Sequence, residues 1–128
     1  MIKFRAWHNE LGRMMSISDM WFNVDSLGEI GLNDAVMNYY ITVSPDEIEL
    51  MQSTGLKDKN GKEIFEGDIL KSNKYITSVF YENGAYCVKF RRTPNTTVIM
   101  NVISFIEKYK TRIVGNIYEN PELVEAEE

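Results

Sequence analysis

Side chains able to do covalent or acid–base chemistry are scarce in this sequence. It holds one histidine, His8, and one cysteine, Cys87, in 128 residues. Nucleophilic catalysis needs a general base beside the nucleophile and a third group that orients the base. His8 falls in a predicted exposed turn. Cys87 falls in the body of a predicted strand, where a lone cysteine commonly packs as a small hydrophobe. The pair therefore reads as an unrelated surface imidazole and core thiol. A transition-metal centre needs several His or Cys ligands, so none is expected. Asp58-Lys59-Asn60-Gly61 faintly matches an EF-hand calcium loop. The match fails because Gly follows Asn directly and Lys62 stands where the next oxygen ligand belongs. Glu63, Glu66 and Asp68 offer carboxylates for proton transfer. They border turns in a charged segment and read as solvated loop groups, with Asp68 placed to bond nearby backbone N–H groups. The glycines are scattered and no Gly-Lys-Ser/Thr occurs, so no phosphate-cradling loop is present. Catalytic, cofactor and metal residues are thus all read as none, and an enzyme is not expected.

Two sets of residues point instead to binding. Met14, Met15, Met20, Trp21 and Phe22 crowd the N-terminal third with large apolar side chains. Such residues are enriched at protein interfaces, and they serve equally well as packing between two layers. This set is the candidate protein interface. Lys89, Arg91 and Arg92, with Lys71 and Lys74 nearby and Phe80, Phe90 and Tyr75 interleaved, form a candidate nucleic-acid face. Small β-barrels stack bases on aromatics in a basic groove. Aromatics in a small barrel also fill its core, and three basic residues near a loop also suit a solvated face. The formal net charge of −5 weighs against a surface wholly devoted to phosphate. Protein contacts are therefore the first expectation and nucleic acid the second.

The charge is unevenly spread. Glu119, Glu122, Glu125, Glu127 and Glu128 form an acidic tail, and without them the remainder is neutral. A single cysteine excludes an internal disulfide. The opening MIKFRAWHNE lacks a signal-peptide apolar run, and no stretch approaches the ~20 apolar residues of a membrane span. Cytoplasmic residence is the expectation, with no membrane partner.

The positioning elements read mostly as strands. Ile2, Phe4 and Ala6 alternate with Lys3, Arg5 and Trp7, then 8–12 turn, and 13–17 return. Residues 19–37, with Val24, Gly28 and Gly31, read as a short strand and a loop. Residues 38–43 form a strand rich in aromatic and β-branched side chains. Ser44-Pro45 either simply ends it, or Ser44 caps a single helical turn beginning at Pro45, with Glu47 at capping-box spacing. Asn60-Gly61 and Gly67-Asp68 mark turns, the second feeding a strand at 69–71. Asn83-Gly84 fits a two-residue hairpin loop. That register sets Tyr81 opposite Tyr86, Phe80 opposite Cys87, Val79 opposite Val88 and Thr77 opposite Phe90. A polar loop at 92–96 leads to a strand at 97–103. A helical turn capped by Ser104 follows, then a last strand at 112–118, stopped by Asn120-Pro121, and a frayed tail. Five short strands after Gly55, with close turns, suggest a small barrel or roll.

IKFRAW, LMQSTGLKDKNGKEIFEGDIL and GNIYENPEL resemble the YopX family of phage and prophage proteins. These stretches lie at the start, middle and end, so the likeness spans the chain. The resemblance implies an SH3-like second half, products of phages and prophages of Gram-positive bacteria, and no assigned biochemical activity. The expected fold is mostly β: an N-terminal β segment (1–50) packed on a C-terminal SH3-like small β-barrel (51–128) ending in the acidic tail. The expected role is that of a non-enzymatic accessory protein in a bacterial host's cytoplasm, without cofactor, in contact with a protein partner or another copy of itself through exposed strand edges.

Overall fold

The computed structural model of the chain describes residues 3–23, 27–34 and 38–125. The chain divides into two compact units, Met1–Gln52 and Ser53–Glu128. It is mostly β, with three antiparallel sheets.

The first unit holds β1 (Phe4–His8), β2 (Arg13–Phe22), β3 (Leu27–Asp34), β4 (Tyr39–Val43) and the first half of β5 (Ile48–Lys57). Their order is β4-β3-β2-β1-β5. Ala6, Met15, Ile30, Leu32, Val43 and Ile48 form the core. The opening hairpin follows the expected alternation, with Ala6 opposite Met15 and His8 opposite Arg13. Its turn starts one residue later than expected. His8 completes β1 on the same face as Ala6, which buries it to 5% exposure. Its Nδ1 accepts the Leu11 N–H (3.1 Å). The imidazole is therefore a buried turn anchor rather than a surface group.

The short strand and loop expected over 19–37 are two long paired strands instead. Met20 faces Ile30 and Trp21 faces Glu29 across β2 and β3. Gly28 and Gly31 misled because glycine usually punctuates turns. In a strand it also marks a close approach. A Cβ on Gly31 would lie 2.9 Å from ring carbons of Tyr40, which covers the bare backbone. Val24 and the rest of 24–26 and 35–37 lie outside the described residues, as does Ile2. Beyond β4, the 3₁₀ turn Pro45–Glu47 forms as expected, and the Glu47 carboxylate accepts the Ser44 N–H (2.7 Å).

β5 passes into the second unit, where it pairs with β6 (Glu63–Phe65). This strand was not foreseen as a single ten-residue run, because its polar middle Gln52-Ser53-Thr54 hides the alternation. There follow β7 (Asp68–Lys71), β8 (Ile76–Ser78), β9 (Phe80–Glu82), β10 (Ala85–Thr93) and β11 (Thr96–Asn101). The helix α1 (Val102–Lys108), β12 (Arg112–Asn116) and the short helix α2 (Glu122–Glu125) complete the chain. Two three-stranded sheets run β11-β10-β9 and β12-β7-β8. Ile64, Leu70, Val79, Val88, Phe90, Val102 and Phe105 make the core.

The Asn83-Gly84 hairpin has the expected register at its tip: Tyr86 faces Tyr81 and Cys87 faces Phe80. Asn83 (φ 51°) and Gly84 (φ 82°) both adopt left-handed backbone, as a tight hairpin turn requires. The ladder then stops, which corrects the expected Val79–Val88 and Thr77–Phe90 pairs. Val79 turns away: its N–H donates to the Asp68 carbonyl (2.9 Å) and its carbonyl accepts from Gly67 (2.8 Å). β8 joins β7, with Thr77 opposite Leu70. The Thr77 hydroxyl reaches back, donating to the Lys89 carbonyl (2.7 Å) and accepting its N–H (3.2 Å).

Three boundaries also shift. The expected loop 92–96 shrinks to Pro94-Asn95, because Arg92 is taken up by a β-bulge. The helix cap is Asn101 rather than Ser104, its side chain accepting the Ile103 N–H (3.0 Å). Val102 and Phe105, three apart, are both buried and so place the helix start earlier. The last strand ends at Asn116, whose carboxamide oxygen accepts from Tyr118 (3.0 Å) and Glu119 (2.9 Å) and turns the chain. Of the tail expected to fray, 122–125 are helical, and Glu127 and Glu128 lie outside the described residues.

Candidate functional site

The basic residues expected to face nucleic acid are exposed and partly gathered. Val88 and Phe90 of β10 point into the core, so Lys89 and Arg91 alternate outward. Both line a groove of about 240 Å³ with Phe80, Ile76, Thr97 and Val124. Arg92 sits apart from this lining, at the bulge. Of the interleaved aromatics, Phe80 is half-buried and lies outside the core cluster. Tyr75 and Phe90 contribute to the floor but stack on each other (centroids 4.2 Å) within the core cluster. The Tyr75 hydroxyl is buried and bonds to no described residue. Lys74 lies over the Tyr75 ring (5.5 Å), and Lys71 sits opposite Arg112 on the β7–β12 pair.

The five residues of the candidate protein interface separate. Met15 is core (2% exposed), and Met14 and Met20 are half-buried. Trp21 (47%) and Phe22 (70%) are exposed. The strand pairing explains the split. β1 accompanies β2 no further than Ser16, and β4 accompanies β3 only from Ile30 onward. Among the described residues, 20–22 and 27–29 therefore pair only with each other, as a two-stranded ribbon. Such a ribbon is marginally stable alone.

The residues weighed for catalysis are engaged in the fold. Cys87 is half-buried, its Sγ nearest the Ala85 carbonyl (3.8 Å). Glu63 accepts from the Ser53 hydroxyl. Asp68 is buried and accepts the Phe65 N–H (2.8 Å), closing the turn before β7. Burial, then the Glu66 charge, then Tyr81, raise the Tyr86 phenol above its ordinary pKa.

Asp58 carries more than the sequence suggested. Its Oδ1 accepts from Asn60 and Lys62 (2.9 Å each), and its Oδ2 accepts from Ile113 (2.9 Å), 55 residues away. Burial pushes this carboxyl up, but the three backbone donors and the nearby Lys62 charge outweigh burial and hold it below the ordinary value. A second gathering of cations was missed altogether. Lys59, Lys108 and Lys110 surround a depression with Asn73 and Tyr109. Their separation along the chain hides it. The one available signal was regional charge: residues 53–118 carry eleven Lys and Arg against six Asp and Glu.

The fold and these surfaces define a small, mostly-β protein of two compact units. The chain belongs to the YopX protein family, whose model matches residues 3–125. It is similar to the crystal structure of protein EF1440 from Enterococcus faecalis, at 28% identity and a TM-score of 0.66, covering 97% of this chain and 98% of that one. No curated protein matches it. No helix among the described residues is long and apolar enough to cross a membrane.

Proposed function

We propose that this chain is a non-enzymatic accessory protein of a phage or prophage, acting through protein contacts in the bacterial cytoplasm, with a second copy of itself as the first partner. The observation that carries this reading is the exposed Trp21-Phe22 pair on the β2–β3 ribbon. Both rings are exposed, at a point where the pairing with β3 shifts register. A partner that covers them would bury large apolar area. The second unit is read as an SH3-like roll, from its short strands, close turns and the helix before the last strand. The non-enzymatic reading is supported by the structural engagement of His8, Glu63 and Asp68.

Light scattering tests it. The wild type should exceed its monomer mass of 14.9 kDa, and Trp21→Ser with Phe22→Ser should return it to monomer while leaving circular dichroism unchanged. Equal masses for both proteins would reject the ribbon as the contact.

A second reading, nucleic-acid binding, is favoured by Lys89 and Arg91 lining one groove with Phe80. Binding of single-stranded DNA should then weaken steeply with salt and vanish in Arg91→Glu, Arg92→Glu. Absence of binding at low salt would end this reading.

A further inference from the structure

We propose that the depression bounded by Lys59, Asn73, Lys108 and Lys110 is a phosphate-binding site. The cations come from separate stretches of the second unit, and each stretch is fixed by its own bonds. Lys59 donates its N–H to the Thr111 carbonyl (2.9 Å), which ties the 58–61 turn to the strand entry beside Lys110. The Asp58 carboxylate clamps the same two segments through Ile113. Asn73 sits in a loop whose neighbours Lys74 and Tyr75 donate to the Ser72 hydroxyl (3.1 and 2.9 Å). Tyr109 donates its N–H to Phe105 (2.8 Å), closing α1 just before Lys110. The backbone that carries the cations is thus built before any ligand arrives.

The lining has one chemical character. Three lysines, an asparagine and a tyrosine line the space, and among the described residues no Asp or Glu does. Like charges held in one concavity repel and raise the local concentration of anions. The C-terminal dipole of a helix favours a nearby cation, but that accounts only for Lys108 in the last turn of α1. It does not account for Lys59, which arrives from a different turn.

The space, about 370 Å³, is ample for a phosphate or diphosphate group. Lysines bind such groups as mobile point charges, and Asn73 and Tyr109 bring further donor groups to the lining. The phosphate can come from a free phosphate compound or from a nucleic-acid backbone. Its lining shares no residue with the Lys89–Arg91 groove, so shifts at Lys59 and Lys110 report this site and shifts at Arg91 report the groove.

Titration with sodium pyrophosphate, at ionic strength held near about 0.1 M with sodium chloride, is followed by amide NMR. The expected result is saturable shifts at Lys59, Asn73, Lys110 and Thr111, with none at Arg91. Lys59→Gln with Lys110→Gln should weaken binding at least about tenfold while keeping the dispersed amide spectrum of the folded chain. A short oligothymidylate separates the sources. A backbone ligand would move the same amides at lower concentration than pyrophosphate, with a salt slope reduced by about 1.4 in the double variant. A free phosphate ligand would leave the oligonucleotide no tighter than pyrophosphate. Shifts that track total salt without saturating, or unchanged affinity in the double variant, would overturn the proposal.

Discussion

Replacing Asp58 by Asn should destabilise the second unit at neutral pH, and the deficit should shrink in acid. Asn keeps one oxygen and presents an NH₂ where the other stood, so it cannot accept from both sides. The bond at stake is the one to the half-buried Ile113 N–H. A bond to a charged acceptor contributes about 1.5–3 kcal/mol. Asn60 and Lys62 are exposed, and water replaces their acceptor at small cost, so about 2 kcal/mol is the expected total. In a unit of this size that corresponds to a fall in Tm of roughly 8–16 °C. The sign of the pH effect follows from the depressed carboxyl. A group whose folded pKa lies below its unfolded value contributes fully above the unfolded value. That contribution is lost as pH falls through the folded one. The wild type should therefore lose its advantage over Asp58→Asn below the ordinary value of 3.8. Amide exchange at Leu70 and Val88 reads the second unit, whereas tryptophan fluorescence reads Trp7 and Trp21 in the first. A loss smaller than about 0.5 kcal/mol, or one that is the same at pH 7 and pH 3, would refute the clamp as described.

Substitutions at three further supports test the fold. Gly84→Ala should cost about 1–2 kcal/mol, because its φ of 82° crowds a Cβ; Asn83→Gly should be close to neutral, and thermal melts distinguish the two. Gly31→Ala should lower urea stability of the first unit by about 1 kcal/mol, read by tryptophan fluorescence. Removing the ring as well, by Tyr40→Ala, should restore part of the loss, since the clash is with that ring. Phe105→Ala empties a fully buried position beside Phe90 and Tyr109. It should cost about 3–5 kcal/mol, visible as loss of exchange protection at Val88.

Local signals were legible where one short stretch decides its own geometry. Asn83-Gly84 dictated its hairpin, and Ser44-Pro45 with Glu47 dictated its turn, because both rest on bonds within four residues. The misreadings came where distant partners decide. Gly31 looks like a turn until Tyr40 is placed against it. Val79 continues an alternating run in sequence, yet its backbone groups find Asp68 and Gly67 rather than a partner on β10. Asn101 is a polar residue in an apolar run, which reads as one strand until the burial of Val102 and Phe105 declares a helix. The candidate surfaces divide the same way. Lys89 and Arg91 were visible because strand alternation sends both outward. The lysine depression was not, since only folding brings residue 59 to residue 110.

Thr77 has a bearing on how this chain can drift. Its hydroxyl substitutes for a main-chain rung at Lys89, so the position is selected by wiring and not by bulk. Serine would preserve the connection while giving up a methyl group. Valine, almost identical in outline, would sever it and strand the Lys89 amide and carbonyl. Among variants of this protein, a small hydroxylated residue should recur there and its hydrocarbon look-alike should be purged.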